Sequence, residues 1–253
     1  MRKKSEINNK ILSYIEVGKG QNIIFLHGWG RTGDDFMPLI ESLGDNYHMF
    51  AIDLPGHGLS EEPSGDLTLD GMADTVKQFI ELNNIEDPIL VCHSFGARIA
   101  IKLAITGVVT NKLIFTGGAG IEKKSIGFKI KVLNYKFMKL LVKTPFYSQY
   151  RDDLFANSGS ADYKNASPVM KKVMSLAVSE DLSNVLTKIN NQTLLYWGSA
   201  DDATPLWHGE MMNERIENST LIVKEGLTHY AFLESVDQFN QTVNQFLGGE
   251  LNE

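Results

Sequence analysis

Cysteine is nearly absent from this chain of 253 residues: Cys92 is the only one. No disulfide can form within the chain, and no Cys-based zinc or iron–sulfur site can be built from it. Long apolar runs are missing too, since no stretch approaches the ~18 uninterrupted apolar residues of a membrane-spanning helix. Positive charge is in deficit, 24 Lys plus Arg against 31 Asp plus Glu for a formal net charge of -7, which argues against nonspecific nucleic-acid binding. With 7 prolines and 22 glycines the chain is neither collagen-like nor low in complexity. Met1-Arg2-Lys3-Lys4 has the charge of an export signal, but Ser5, Glu6, Asn8, Asn9 and Lys10 occupy the place of the required apolar run. These absences lead to the expectation of a cytoplasmic protein with no membrane span and no nucleic-acid partner.

What is present is an ordinary globular composition, 43% hydrophobic and 22% charged, at a length suited to one large α/β domain or one core carrying an insertion. Short apolar runs bounded by turn signals predict strands at Asn22 to Leu26, His48 to Asp53, Ile89 to Cys92, Lys112 to Thr116, Thr193 to Trp197 and Leu221 to Lys224. They are apolar almost throughout, as strands covered on both faces of a parallel sheet must be. Ile7 to Val17 reads as an antiparallel hairpin that leads in, ending at Gly18 and Gly20. Helical periodicity falls at Asp34 to Ser42, Leu69 to Asn83, Phe95 to Thr106, Leu206 to Arg215 and Tyr230 to Leu247. This alternation implies an α/β fold: a doubly wound, mostly parallel sheet of the eight-stranded type, with helices on both faces.

Ile121 to Leu186 breaks the alternation, with helical patterns and no convincing strand, and reads as a helical insertion. Ile126, Ile130, Leu133, Phe137, Leu140 and Leu141 form a stripe at 3.6-residue spacing that needs a core to pack on. Phe128, Tyr135 and Met138 lie off that stripe, where they face either a ligand cavity or further packing. Between Ile121 and Tyr150, Lys123, Lys124, Lys129, Lys131, Lys136, Lys139 and Lys143 stand against Glu122 alone. A solvated lysine face and an attractor for an anionic substrate or membrane surface both remain open.

The chemistry concentrates where predicted strands end, the place doubly wound folds put their sites. Val91-Cys92-His93-Ser94-Phe95-Gly96 runs a strand straight into a helix and reads as a nucleophile elbow, x-x-S-x-G, holding the serine oxygen above the sheet. Cys92 stands where the usual first glycine would, so a serine that merely caps the helix is the competing reading. Phe25-Leu26-His27-Gly28-Trp29-Gly30 offers a glycine-rich turn; with the helix N-terminus at Phe95, the N–H groups of Trp29 and Phe95 become oxyanion donors. Trp197-Gly198-Ser199-Ala200-Asp201-Asp202-Ala203-Thr204-Pro205 supplies a carboxylate in a tight loop and Gly226-Leu227-Thr228-His229-Tyr230 an imidazole. A serine needs a base with a pKa near working pH, and that base needs a carboxylate to fix its tautomer.

In these motifs, with Asp53-Leu54-Pro55-Gly56-His57-Gly58-Leu59-Ser60 and Phe232-Leu233-Glu234, the chain resembles the α/β-hydrolase fold superfamily from about Ile7 to Leu247. The resemblance implies Ser94 as nucleophile, Asp201 as acid and His229 as base. Asp201 is preferred to Asp202 because Gly198, Asp201 and Pro205 meet the family spacing Gly-x-x-Asp-x-x-x-Pro. It also implies a core of residues 1–120 and 187–253, a helical cap at 121–186, and structural roles for His27, His57 and His93. No cofactor is called for: His208 near Asp201 and Asp202 lacks the helical two-histidine spacing of a metal site, and Cys92 at the end of an apolar strand reads as an inert thiol. The expected activity is a serine hydrolase cleaving a small carboxylic ester, of the carboxylesterase type, with a small acyl substrate as its partner. A C–C bond hydrolase on the same residues and a small-molecule sensor on the same fold stand as alternatives.

Overall fold

A computed structural model describes residues 1–65, 67–108, 110–122, 163 and 165–249. Eight strands make one sheet: β1 (Arg2–Ile7), β2 (Lys10–Val17), β3 (Gln21–Leu26), β4 (Tyr47–Ile52), β5 (Ile89–His93), β6 (Lys112–Thr116), β7 (Gln192–Gly198) and β8 (Ser219–Lys224). Their order is β1-β2-β4-β3-β5-β6-β7-β8. β1 and β2 pair antiparallel, β2 joins β4 antiparallel, and every pairing from β4 to β8 is parallel. The expected doubly wound sheet is therefore present.

The hairpin differs from its sequence reading. It starts at Arg2 rather than Ile7, and its turn is Asn8-Asn9, with φ 53° and 56°, the left-handed pair that a two-residue hairpin turn requires and that asparagine tolerates. Arg2 to Glu6 are polar and carry no strand signal; as an edge strand β1 needs no apolar run.

Helices α1 (Met37–Leu43) and α7 (Val236–Gly248) cover one face of the sheet, where Ile23, Phe25, Phe36, Leu194, Tyr196, Phe239 and Val243 form one core. Helices α2 (Leu69–Leu82), α3 (Phe95–Ile105), α4 (Pro168–Ser179) and α5 (Trp207–Arg215) cover the other, around Ile24, Leu26, Phe79, Leu90, Phe115, Val173 and Trp197. The long helix expected from Tyr230 to Leu247 is two: α6 (Ala231–Glu234) stops at Ser235, whose φ of -133° leaves the helical region before α7 begins. There Ser235 Oγ donates to the Ala231 carbonyl and lies 2.7 Å from the Tyr196 hydroxyl.

Within the segment read as an insertion, α4 and a 3-10 turn at Ser183–Lys188 are described. The apolar stripe, the lysine run, Phe128, Tyr135 and Met138 lie outside the described residues. Arg98, buried on α3, donates from Nη1 to the carbonyls of Ala177 and Glu180, each at 2.8 Å, and so closes the C-terminal end of α4. Desolvation lowers its guanidinium to about 10, against the pull of Glu180 and Asp181. Lys102, one turn further on, pairs with Asp70 and Glu180. The C-terminal end of α4 is thus fastened to α3. Among the described residues no helix is long and apolar enough to cross a membrane.

Candidate active site

Ser94 joins β5 to α3 at φ 47°, ψ -108°, a conformation that costs a non-glycine residue about 1–3 kcal/mol. Neighbouring chain holds it there. Its amide donates to the Thr116 carbonyl at 3.1 Å, and its own carbonyl accepts from Ala97 at 3.1 Å and Ala119 at 2.9 Å. Its side chain makes no cap hydrogen bond to α3, so the helix-cap reading of Ser94 is set aside by geometry. Gly96 explains the second half of the motif: a Cβ there would stand 2.1 Å from the Leu26 carbonyl oxygen, so α3 packs on β3 only without one. Cys92, where the family usually has glycine, is wholly buried in β5 and its thiol is pushed well up by desolvation.

Ser94 Oγ lies 2.9 Å from His229 Nε2, and His229 Nδ1 lies 2.8 Å from Asp201 Oδ2. An ionised carboxylate only accepts, so neutral His229 carries its proton on Nδ1 and turns the Nε2 lone pair to the serine hydroxyl. Burial pushes the Asp201 carboxyl up, but the hydrogen bond and charge of His229 and the Thr204 donors outweigh it and leave the group below its ordinary value. Asp201 also accepts at Oδ1 from the amides of Ala203 (2.9 Å) and Thr204 (2.8 Å). The adjacent Asp202 is exposed. Of the two carboxylates in the loop after β7, then, Asp201 meets the imidazole.

Two glycines make this approach possible. At Gly198 a Cβ would meet the Leu227 and Thr228 carbonyl oxygens at 2.2 and 2.4 Å; at Gly117, φ 52°, it would meet His229 Nδ1 at 3.0 Å and Asp201 Oδ2 at 3.2 Å. The histidine loop is pinned from behind, where Glu234 accepts from the Thr228 amide at 2.8 Å and from the Thr228 hydroxyl. The sequence assigns no site role to Gly117, Thr204 or Glu234: Gly117 sits in no chemical motif, Thr204 lies inside the Gly198 to Pro205 stretch without a role of its own, and Glu234 enters only with the resemblance.

The turn after β3 is closed by the Arg31 amide on the Gly28 carbonyl at 3.2 Å, with Gly30 at φ 73°. It touches the elbow directly, since a Cβ on Gly28 would lie 2.8 Å from His93 Cδ2 and 3.4 Å from Ser94 Cβ. The Trp29 ring packs edge-on against Phe95 at 5.3 Å and His57 at 4.8 Å. The Phe95 amide opens α3 and has no intrahelical acceptor. His27 fixes the turn: its Nε2 accepts from the Leu54 amide at 2.9 Å, so the ring proton sits on Nδ1 and donates to the Gly28 carbonyl at 2.7 Å. His93 Nδ1 donates to the Thr116 carbonyl at 2.9 Å, and its ring packs on His229 at 4.7 Å. Burial holds His27 and His93 down to about 3, and both stand neutral as supports of the site. A cavity of ≈ 350 Å³ beside the turn is lined by Trp29, Gly30, Arg31, His57, Glu62 and Met170 among others.

The chain is 27% identical, over 92% of its length, to the dihydrolipoyllysine-residue acetyltransferase component of an acetoin cleaving system from Cupriavidus necator, and spans 65% of that protein. It is 24% identical to a pimeloyl-[acyl-carrier protein] methyl ester esterase from Aliivibrio salmonicida, over 92% of this chain and 94% of that one. In fold it is similar to a meta-cleavage product hydrolase from Pseudomonas fluorescens, with a TM-score of 0.74 at 20% identity over 98% and 97% of the two chains. The model of the alpha/beta hydrolase family matches residues 23–242, and the chain, carrying that family's sheet, belongs to it.

Proposed function

We propose that the protein is a serine hydrolase that cleaves a small carboxylic ester through an acyl-enzyme on Ser94. The observation that carries the reading is the unbroken hydrogen-bonded line from Ser94 Oγ through His229 to Asp201. In this reading Ser94 Oγ attacks the ester carbonyl carbon while His229 Nε2 takes the hydroxyl proton. The oxyanion is received by the Trp29 and Phe95 amides, and the proton then goes to the leaving alcohol as the C–O bond breaks. Water repeats the sequence, giving its proton to His229 and its oxygen to the acyl group, and free Ser94 returns. Asp201 holds the tautomer and stabilises the imidazolium.

Residues 1–120 and 187–253 form the core in this reading, and 121–186 the cap over the site. Support for that division comes from Met170 of α4, which lines the cavity beside Trp29 and crowds Gly56 so closely that a Cβ there would meet its sulfur at 2.3 Å. The ester reading agrees with the name of the Aliivibrio salmonicida relative. The name of the Pseudomonas fluorescens structure favours a second reading, C–C bond hydrolysis of a vinylogous diketone, in which carbon rather than alkoxide leaves.

Intact mass after treatment with a fluorophosphonate tests the reading. One adduct on wild type, mapped to Ser94 and missing from Ser94→Ala, is expected, with activity on a short-ester panel lower by roughly 10³-fold or more in the variant. Folded wild type that takes no label would sink the hydrolase reading and bring the sensor alternative forward. Label without turnover on esters, but with turnover of a vinylogous diketone, would move the assignment to C–C cleavage.

A further inference from the structure

We infer that Thr204 is a positioning residue of the Ser94–His229–Asp201 line: its hydroxyl locks the Asp201 carboxylate and tempers that carboxylate's pull on the imidazole. The inference rests on the hydrolase reading and deepens it.

Thr204 is buried in the loop between β7 and α5, and each of its polar groups is engaged. Its amide donates to Asp201 Oδ1 at 2.8 Å, and its carbonyl accepts from the buried Trp197 indole at 2.7 Å. Its Oγ1 lies 2.8 Å from Asp201 Oδ2, 2.9 Å from the Gly117 carbonyl and 3.2 Å from His229 Nδ1. One residue thus grips both carboxylate oxygens, the amide on Oδ1 and, on Oδ2, the hydroxyl, whose single proton is shared between Oδ2 at 2.8 Å and the Gly117 carbonyl at 2.9 Å. The carboxylate cannot rotate about its Cβ–Cγ bond without breaking one of these bonds.

The hydroxyl has a second consequence. It shares Oδ2 with the His229 Nδ1 proton, and a donor on a carboxylate spreads that group's charge and lowers its basicity. Less negative charge then faces the imidazolium that forms as Ser94 gives up its proton. A threonine here therefore sets two things, where the ring points and how readily it takes a proton. The other groups facing the imidazole are His93 from the end of β5, with ring centroids 4.7 Å apart, and Tyr230 at 5.4 Å. Arg31 stacks over Tyr230 at 5.5 Å. None of them contacts the Thr204 hydroxyl.

Thr204→Val keeps the shape and the amide and removes the hydroxyl; Thr204→Ser keeps the hydroxyl. The experiment compares both with wild type in p-nitrophenyl acetate hydrolysis across pH and in the low-field proton resonance of His229 Nδ1–H. For Thr204→Val, kcat is expected to fall about tenfold with KM within about twofold. The acidic limb of kcat/KM should move up by about half a pH unit or more, and the resonance should move downfield. Thr204→Ser should restore all three. A loss of rate with the limb and resonance unmoved would make Thr204 mere packing and overturn the inference, as would unchanged behaviour throughout, while the hydrolase reading stood. An unreactive wild type would instead overturn the hydrolase reading, and the resonance alone would then decide whether Thr204 tempers the pair. Should Thr204→Val fail to fold by circular dichroism, Thr204→Ala carries the same comparison.

Discussion

Two carboxylates lie side by side after β7, and their surroundings separate them. Asp201 is buried and accepts four hydrogen bonds, from Ala203, from the Thr204 amide and hydroxyl, and from His229. Asp202 is exposed. An amide at position 201 keeps the shape but can present a donor to the ring, which favours the wrong tautomer and leaves Nε2 protonated against the serine. Asp201→Asn is therefore expected to lower kcat by about 10³- to 10⁴-fold. Asp202→Asn, at an exposed carboxylate outside the hydrogen-bonded line from Ser94 to Asp201, should stay within about twofold. Burst and steady-state kinetics on one activated ester check the pair, and the reverse ranking would mean that Asp201 is not the group that serves His229.

At the scale of elements, glycines set how closely the pieces of the site approach. A methyl at Gly96 would meet the Leu26 carbonyl oxygen at 2.1 Å, and backbone cannot swing aside as a side chain does, so α3 would have to lift from β3 and carry the elbow with it. Gly96→Ala is expected to cost about 1–3 kcal/mol of stability and most fluorophosphonate reactivity. Gly65→Ala, with open space around it, should change neither. Thermal melts and labelling rates on the two variants test this; a wild-type labelling rate in Gly96→Ala would show that α3 does not set the serine. These contacts also explain what the sequence disclosed. The parallel strands were legible because burial on both faces makes them continuously apolar, and the site residues were legible because strand ends gather them. Strand β1 was not, since an edge strand of Arg2, Lys3, Lys4 and Glu6 carries no apolar signal. The break at Ser235 was hidden because the helical periodicity runs through it, while one of the groups its side chain meets there, the Tyr196 hydroxyl, lies far away in the chain. Gly117 was hidden because its neighbours in the site, His229 and the Thr204 hydroxyl, lie far away in the chain, and Thr204 because a threonine three residues after Asp201 carries no chemical signal until the fold brings Gly117 and His229 to its hydroxyl.

For the whole molecule, the two histidines that support the site make folding sensitive to acid. His27 and His93 are fully buried, and desolvation, reinforced by His57 beside the first and His229 beside the second, holds each to about 3 from an ordinary 6.5. The hydrogen bonds they make require the neutral ring: His27 accepts from the Leu54 amide at Nε2, which an imidazolium cannot do. In the unfolded chain both take a proton as pH falls through 6.5, while in the folded chain neither does until near 3. The unfolded state therefore binds more protons across that window, and stability falls as pH falls. Each histidine contributes a slope of about 1.4 kcal/mol per pH unit once pH is well below 6.5 and half of that at 6.5 itself, so the pair removes about 3 kcal/mol between pH 6.5 and 5, a large share of a typical 5–15 kcal/mol. Asp201, held below its ordinary value, adds its own loss only at still lower pH. Urea unfolding at a series of pH values should give a plateau above about pH 7.5 and, below 6, a decline of about 2–3 kcal/mol per unit. In His27→Gln, whose amide can still accept from Leu54 but does not titrate, that slope should be halved. A stability that stayed flat down to pH 5 would mean that the two rings are not buried neutral, and that the His27 tautomer does not fix the turn after β3.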